Sequence, residues 1–122
     1  MNLRIAPEHL RFRISEDEFA ALCARGILSQ HTALGAASIL EYTLRTHPSA
    51  TDANGQILAF AAQTRATGCH FEVSIFADGV AALKSNQAGK DGIQEHLAFE
   101  NGDMLTIGLE IDLHSKKGAS KS

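Results

Sequence analysis

The chain has 122 residues, 44% of them hydrophobic and 20% charged, with a formal net charge of −3. That balance fits one folded domain and gives neither nucleic acid nor an acidic membrane surface a reason to bind. Trp is absent and aromatics make up 6%, which excludes a base-stacking platform, and no apolar run reaches the length of a membrane span or a signal-peptide core.

In chain order, Leu3-Ile5 and His9-Ile14 read as strands joined at Pro7. Leu10, Phe12 and Ile14 alternate with Arg11 and Arg13, giving one buried and one wet face. Ser15 with Glu18 three residues on is a capping box. It opens a helix whose apolar face is Phe19, Leu22 and Cys23, and Arg25-Gly26 closes that helix. Two antiparallel strands follow, Ile27-Leu34 and Ile39-Thr46, turning at Gly35-Ala36-Ala37. His47-Gly55 is a polar, turn-rich linker.

Gln56-Thr67 is compatible with a helix or a strand, and its place in the repeat described next favours at least part strand. His70-Ile75 is a strand, about Asp78-Ser85 a short helix, and Asn86-Gly92 a loop. The last regular segment, Gly92 to His114, reads as a hairpin. Its Asn101-Gly102 suits a type I′ turn, with φ > 0 at both central residues. Leu105, Ile107, Leu109, Ile111 and Leu113 share one face of its second strand; Thr106, Gly108, Glu110, Asp112 and His114 share the other. The remaining residues, 115–122, are expected to form a disordered polar tail.

The chain reads as one ββαββ unit written twice. At an offset of 61, Arg4 falls on Arg65, His9 on His70, Ile14 on Ile75, Asp17 on Asp78 and Leu22 on Leu83. At 65, His31 meets His96, Leu40 meets Leu105 and Leu44 meets Leu109. The expected fold is α+β: duplicated ββαββ units in a mostly antiparallel sheet, open or curled into a barrel, with two short helices and pseudo-twofold symmetry. One domain is expected over residues 1–114, with halves about 1–47 and 56–114.

Chemistry can reside only on the polar sheet face. It gathers Arg4, Arg11, Arg13, Arg45 and Arg65 with Glu41, Glu72, Glu110 and Asp112, joined by His31, His70, His96 and His114. Cross-strand ion pairs on a solvated face explain such a mixture as readily as a site does. Glu110, Asp112 and His114, two residues apart on one strand, are competent metal ligands, but the spacing alone does not assign a metal. Cys23 and Cys69 have no metal spacing and fit a reducing compartment. No phosphate loop and no G-x-S-x-G occur.

LRIAPEHLRFRISEDEFAAL and KDGIQEHLAFENGDMLTIGLEIDL together resemble a small bacterial family known only as a domain of unknown function. The matching positions are Leu3, Arg4, Ile5, Leu10, Arg11, Arg13, Ile14 and Ser15, then Gly92, Ile93, Leu105, Ile107, Glu110 and Asp112. The chain departs at Ile111, where the pattern has Lys, and it lacks the cysteine-rich end of some members. The resemblance implies kinship and no activity. A looser likeness to the triphosphate tunnel enzymes fails, because E-x-E-x-K is missing.

The expectation is a cytoplasmic, non-enzymatic interaction or small-ligand-binding domain. Its ligand-binding residues would be Arg11, Arg13, Arg45, Glu72, Glu110 and Asp112, with no catalytic residue, metal or cofactor. The partner would be a protein or a small anionic ligand, not nucleic acid or membrane. The alternatives are a small metal-dependent or hydrolytic enzyme acting on an anionic substrate, and a structural homodimer.

Overall fold

Strand alternation and the α1 capping box find their expected place in the computed structural model, which describes residues 1–85 and 92–112. The elements are β1 (Asn2–Ala6), β2 (His9–Ser15), α1 (Glu16–Arg25), β3 (Ile27–Ala33), β4 (Ile39–His47), β5 (Leu58–Arg65), β6 (Gly68–Phe76), α2 (Ala77–Lys84), β7 (Ile93–Ala98) and β8 (Met104–Asp112). The ambiguous stretch after the linker is therefore a strand. Leu113, His114 and the 115–122 tail lie outside the described residues. Among the described residues no helix is long and apolar enough to cross a membrane.

The architecture is α+β. Among the described residues eight strands form two open four-stranded sheets, ordered β1-β2-β8-β7 and β3-β4-β6-β5, and neither closes into a barrel. All four hairpins are antiparallel, but β2 joins β8 and β4 joins β6 in parallel. Each half thus gives one hairpin to each sheet, and the helix between them carries the chain across. Among the described residues four of the six strand pairings are antiparallel, as the mostly antiparallel expectation has it, and the halves meet through one parallel pairing in each of two sheets. Within each sheet the two hairpins come from opposite halves and are not equivalent; the pseudo-twofold instead exchanges the sheets, carrying the β2–β8 pairing onto β6–β4.

The registers reproduce the repeat. His9 pairs with Thr106 in one sheet, and His70 with Glu41 in the other. This superposes β2 on β6 at an offset of 61 and β4 on β8 at 65, as duplication requires. One expected equivalence fails. Arg4 faces Arg11, while Ala61 faces Glu72, so Arg4 corresponds to Ala61 and not to Arg65. The β5–β6 hairpin extends two residues further on each arm, so matching from the strand starts shifts the alignment.

α1 begins as its capping box dictates. Glu18 N–H donates to Ser15 Oγ (3.1 Å) and Ser15 N–H to Glu18 Oε1 (2.9 Å), while the Met1 ammonium reaches Glu18 Oε2 at 2.6 Å. It ends at Gly26, φ 79°, a left-handed residue that costs glycine no Cβ clash. α2 has no side-chain cap. Instead the Ala77 and Asp78 N–H groups donate to the Ser49 and Ala50 carbonyls, so the linker between the halves caps the second helix.

The inner faces of both sheets share one core. Leu10, Phe12, Ile14, Ile107 and Leu109 come from one sheet, and Tyr42, Leu44, Leu58, Val73 and Ile75 from the other; Leu22 and Leu83 close the helix side. Burying each such side chain contributes about 1.5–3 kcal/mol. The period-2 alternation that fills this core sends the intervening polar residues to the two outer faces.

The final turn differs from a two-residue type I′ loop. Gly102 has φ 92°, but Asn101 is not in the left-handed region. Gly102 N–H donates to the Phe99 carbonyl and Phe99 N–H to the Asp103 carbonyl, which makes a turn with a glycine bulge. Asn101 instead bonds the Asp103 side chain and N–H.

Candidate functional site

Arg11 and Arg13 point outward because Leu10, Phe12 and Ile14 point in. β8 lies in parallel beside them, so Glu110 and Asp112 emerge on the same face. Arg11 Nη1 donates to Glu110 Oε1 (3.1 Å) and Arg13 Nη2 to Asp112 Oδ1 (3.2 Å). On the other side, β1 places Arg4 directly opposite Arg11 and Asn2 opposite Arg13. Arg11 itself pairs in register with Gly108. A Cβ built on Gly108 would meet the Arg11 guanidinium side chain at 3.7 Å, so the bare backbone there is the floor on which Arg11 lies.

The result is a concave hollow of about 670 Å³ lined by Asn2, Leu3, Arg4, His9, Arg11, Arg13 and Glu110. This lies within the size range of small-molecule sites. Arg4 is exposed and makes no ion pair among the described residues. Arg13 Nε is buried without a hydrogen-bond partner among the described residues. Among the described residues, the guanidinium groups of Arg4, Arg11 and Arg13 therefore share the face with the carboxylates of Glu110 and Asp112. Like charges directly opposite in a ladder are destabilising, so folding alone does not explain Arg4 facing Arg11.

The second sheet supplies an internal comparison. Its counterparts of Arg4, Arg11, Arg13 and Glu110 are Ala61, Glu72, Ser74 and Arg45. The same diagonal pair forms with its charges exchanged, Arg45 Nη2 to Glu72 Oε1 at 3.4 Å, and both residues are more exposed than Arg11 and Glu110. The hollow beside it, lined by Ala61, Gln63, His70 and Glu72, is only about 60 Å³. Of the six expected site residues, the structure brings Arg11, Arg13, Glu110 and Asp112 together and leaves Arg45 and Glu72 on the other sheet. Arg4, placed on the polar face but not among those six, lines the hollow together with Asn2 and His9, and Gly108 lies beneath Arg11. Arg4 was legible as the outward residue between Leu3 and Ile5, and Gly108 as a glycine inside a strand.

The second sheet also carries a chain of polar groups. Ser29 Oγ lies 2.8 Å from Thr43 Oγ1, which lies 2.9 Å from His70 Nε2. Arg65 Nη2 lies 3.1 Å from His70 Nδ1, and Arg65 Nη1 donates to Glu41 Oε1 at 3.0 Å. A guanidinium can only donate, so Nδ1 accepts and the ring proton sits on Nε2, donating to Thr43. The proton direction is opposite to that of a hydroxyl activated by a histidine base.

Glu110 and Asp112 each answer an arginine, and His114 lies outside the described residues. Among the described residues no cluster of three or more His, Cys, Asp or Glu could hold a metal. His31 and His96 occupy equivalent positions on edge strands of different sheets and do not meet. Cys23 and Cys69 are free and stand on α1 and β6.

Residues 1–118 match the family model described as Family of unknown function (DUF7009), so the chain belongs to that family. No curated protein and no solved structure matches it.

Proposed function

We propose that the protein is a binding domain which recognises an anionic group in the arginine-lined hollow of the first sheet. The observation that carries this reading is Arg4 opposite Arg11 and in no ion pair among the described residues, with Arg13 on the same face. A like-charge pair that burdens the fold is accounted for when a ligand supplies the missing negative charge. The second sheet supports the reading, because the same position there dispenses with the arginine opposition and has almost no hollow.

A non-catalytic role agrees with the state of the acids. Glu110 and Asp112 are held by Arg11 and Arg13, and the His70 proton points toward its hydroxyl neighbours. We read the chain as a single cytoplasmic domain over residues 1–114, which suits free Cys23 and Cys69.

The test is titration of the protein with citrate and with inorganic phosphate at low ionic strength, by calorimetry and by thermal shift. Saturable binding that Arg4→Ala weakens at least tenfold is expected. Equal binding by wild type and the variant, or none by either, would overturn the reading.

A further inference from the structure

The arginine hollow is one side of a larger feature. β1 is an edge strand, and so is β3 in the other sheet. Between them runs a groove of about 410 Å³ lined by Met1, Asn2, Leu3, Ile5, Thr32, Leu40 and Tyr42. Ile5 is 59% exposed there. The pseudo-equivalent seam, at β5 and β7, is bridged: Gln56 Nε2 donates to the His96 carbonyl (3.2 Å) and Ile57 N–H to Glu95 Oε2 (2.6 Å). Among the described residues no hydrogen bond joins β1 to β3. The same fold closes one seam and leaves the other open.

The open seam presents backbone as well as side chains. β1 and β2 are joined by the two-residue turn Pro7-Glu8, which makes Ala6 and His9 a hydrogen-bonded pair. Antiparallel ladders alternate, so the N–H and C=O groups of Leu3 and Ile5 point away from β2 toward the open edge. Arg4, between them, points its side chain to the outer face.

From these features we infer that β1 is the docking edge for an extended segment of a partner protein in which acidic and apolar residues alternate. The segment adds as a strand beside β1. Its acidic side chains fall on the outer face next to Arg4 and over the hollow, and its apolar side chains enter the groove beneath Leu3 and Ile5. Main-chain bonds to Leu3 and Ile5 give affinity, and the alternation gives specificity. The inference rests on the anion-binding reading and names the macromolecule that supplies the anion. A second copy of this chain is a poorer occupant, because pairing β1 with β1 continues the outer face and brings two Arg4 side chains beside two Arg11. The 115–122 segment carries lysines and no acid, so it also lacks the required charge.

The experiment titrates the full chain with a blocked heptapeptide of alternating glutamate and valine. Calorimetry and ¹⁵N–¹H spectra follow binding. Controls are the lysine–valine peptide, a glutamate–valine peptide N-methylated on its valines, and citrate alone. The expected result is glutamate–valine binding that perturbs the Leu3, Ile5 and Leu40 amides. It weakens at least tenfold with the lysine peptide, with the N-methylated peptide and with Arg4→Ala. Ile5→Pro, which removes an edge donor outside the β1–β2 ladder, should abolish peptide binding and leave citrate binding intact. The N-methylated peptide decides the point if that variant does not fold.

If citrate binds in an Arg4-dependent way but the peptide binds no tighter, or N-methylation is harmless, strand addition is wrong and anion binding stands. If neither probe binds, both readings fail. Peptide binding indifferent to Arg4→Ala overturns the assignment of the acidic partner, and so does a stable dimer in native mass spectrometry that occludes the β1 amides.

Discussion

Arg4 and Arg11 face each other across the β1–β2 ladder, and Arg11 alone of the two is answered by Glu110. On the proposed anion-binding role, the arrangement trades stability against binding. Arg4→Thr removes the like-charge opposition and adds a residue that suits a strand, so the variant should gain about 0.2–1 kcal/mol of stability in urea unfolding. The same variant should lose most of the thermal shift that citrate induces. Loss of stability together with unchanged citrate response would place Arg4 among structural residues.

How much of this was legible beforehand can be followed through single residues. Ser15 and Glu18 announced α1 because a capping box is local chemistry, complete within four positions. Leu10, Phe12 and Ile14 announced the buried face of β2, because alternation follows from the pleat. Neither signal names a neighbour. That β2 would lie beside β8 depends on a pairing between His9 and Thr106, far apart in the chain, which no local pattern encodes. The site inherited that blind spot. Arg11 with Glu110 and Arg45 with Glu72 looked like one polar face, but the swapped hairpins put the two pairs on different sheets. The family match over residues 1–118 agrees with the resemblance carried by the terminal motifs and adds no activity to it.

His70 gives a prediction about protons. Because Arg65 donates to Nδ1, the neutral ring should carry its proton on Nε2, and ¹⁵N spectra at neutral pH should show a protonated Nε2 and a bare Nδ1. Arg65→Ala frees Nδ1 and should leave a mixture of tautomers. A wild-type ring protonated on Nδ1 would contradict the network and would reopen Thr43 as an activated hydroxyl.

The β3–β4 turn is built on unfavourable residues. Ala36 and Ala37 have φ of 42° and 66°, and Ser38 N–H donates to the Gly35 carbonyl. Both alanines therefore occupy the left-handed region that Asn and Gly fill at lower cost. The double substitution Ala36→Asn with Ala37→Gly should stabilise the protein by about 1 kcal/mol, read as a higher urea midpoint at constant slope. A lower midpoint would show that the turn does not hold this geometry in solution.

Glu18 links stability to pH. Burial pushes its carboxyl up, but the Met1 ammonium and the Ser15 N–H and hydroxyl act the other way and together hold it below the ordinary carboxylate value. A carboxylate whose folded pKa is depressed stabilises the fold fully above its unfolded pKa, about 4.3, and the contribution fades as pH falls through the lower folded value. Glu18→Gln keeps the capping geometry and removes the charge. At pH 7 it should cost about 1 kcal/mol, since the carboxylate favours both the helix N-terminus and the ammonium. Wild type and variant should converge as the pH is lowered below about 4. If the gap between their unfolding free energies is the same at pH 7 and pH 3, the charge on Glu18 is not what anchors β1 to the start of α1. The edge strand proposed to receive a partner would then be held by its β2 ladder and by the packing of Met1 and Leu3 against the core.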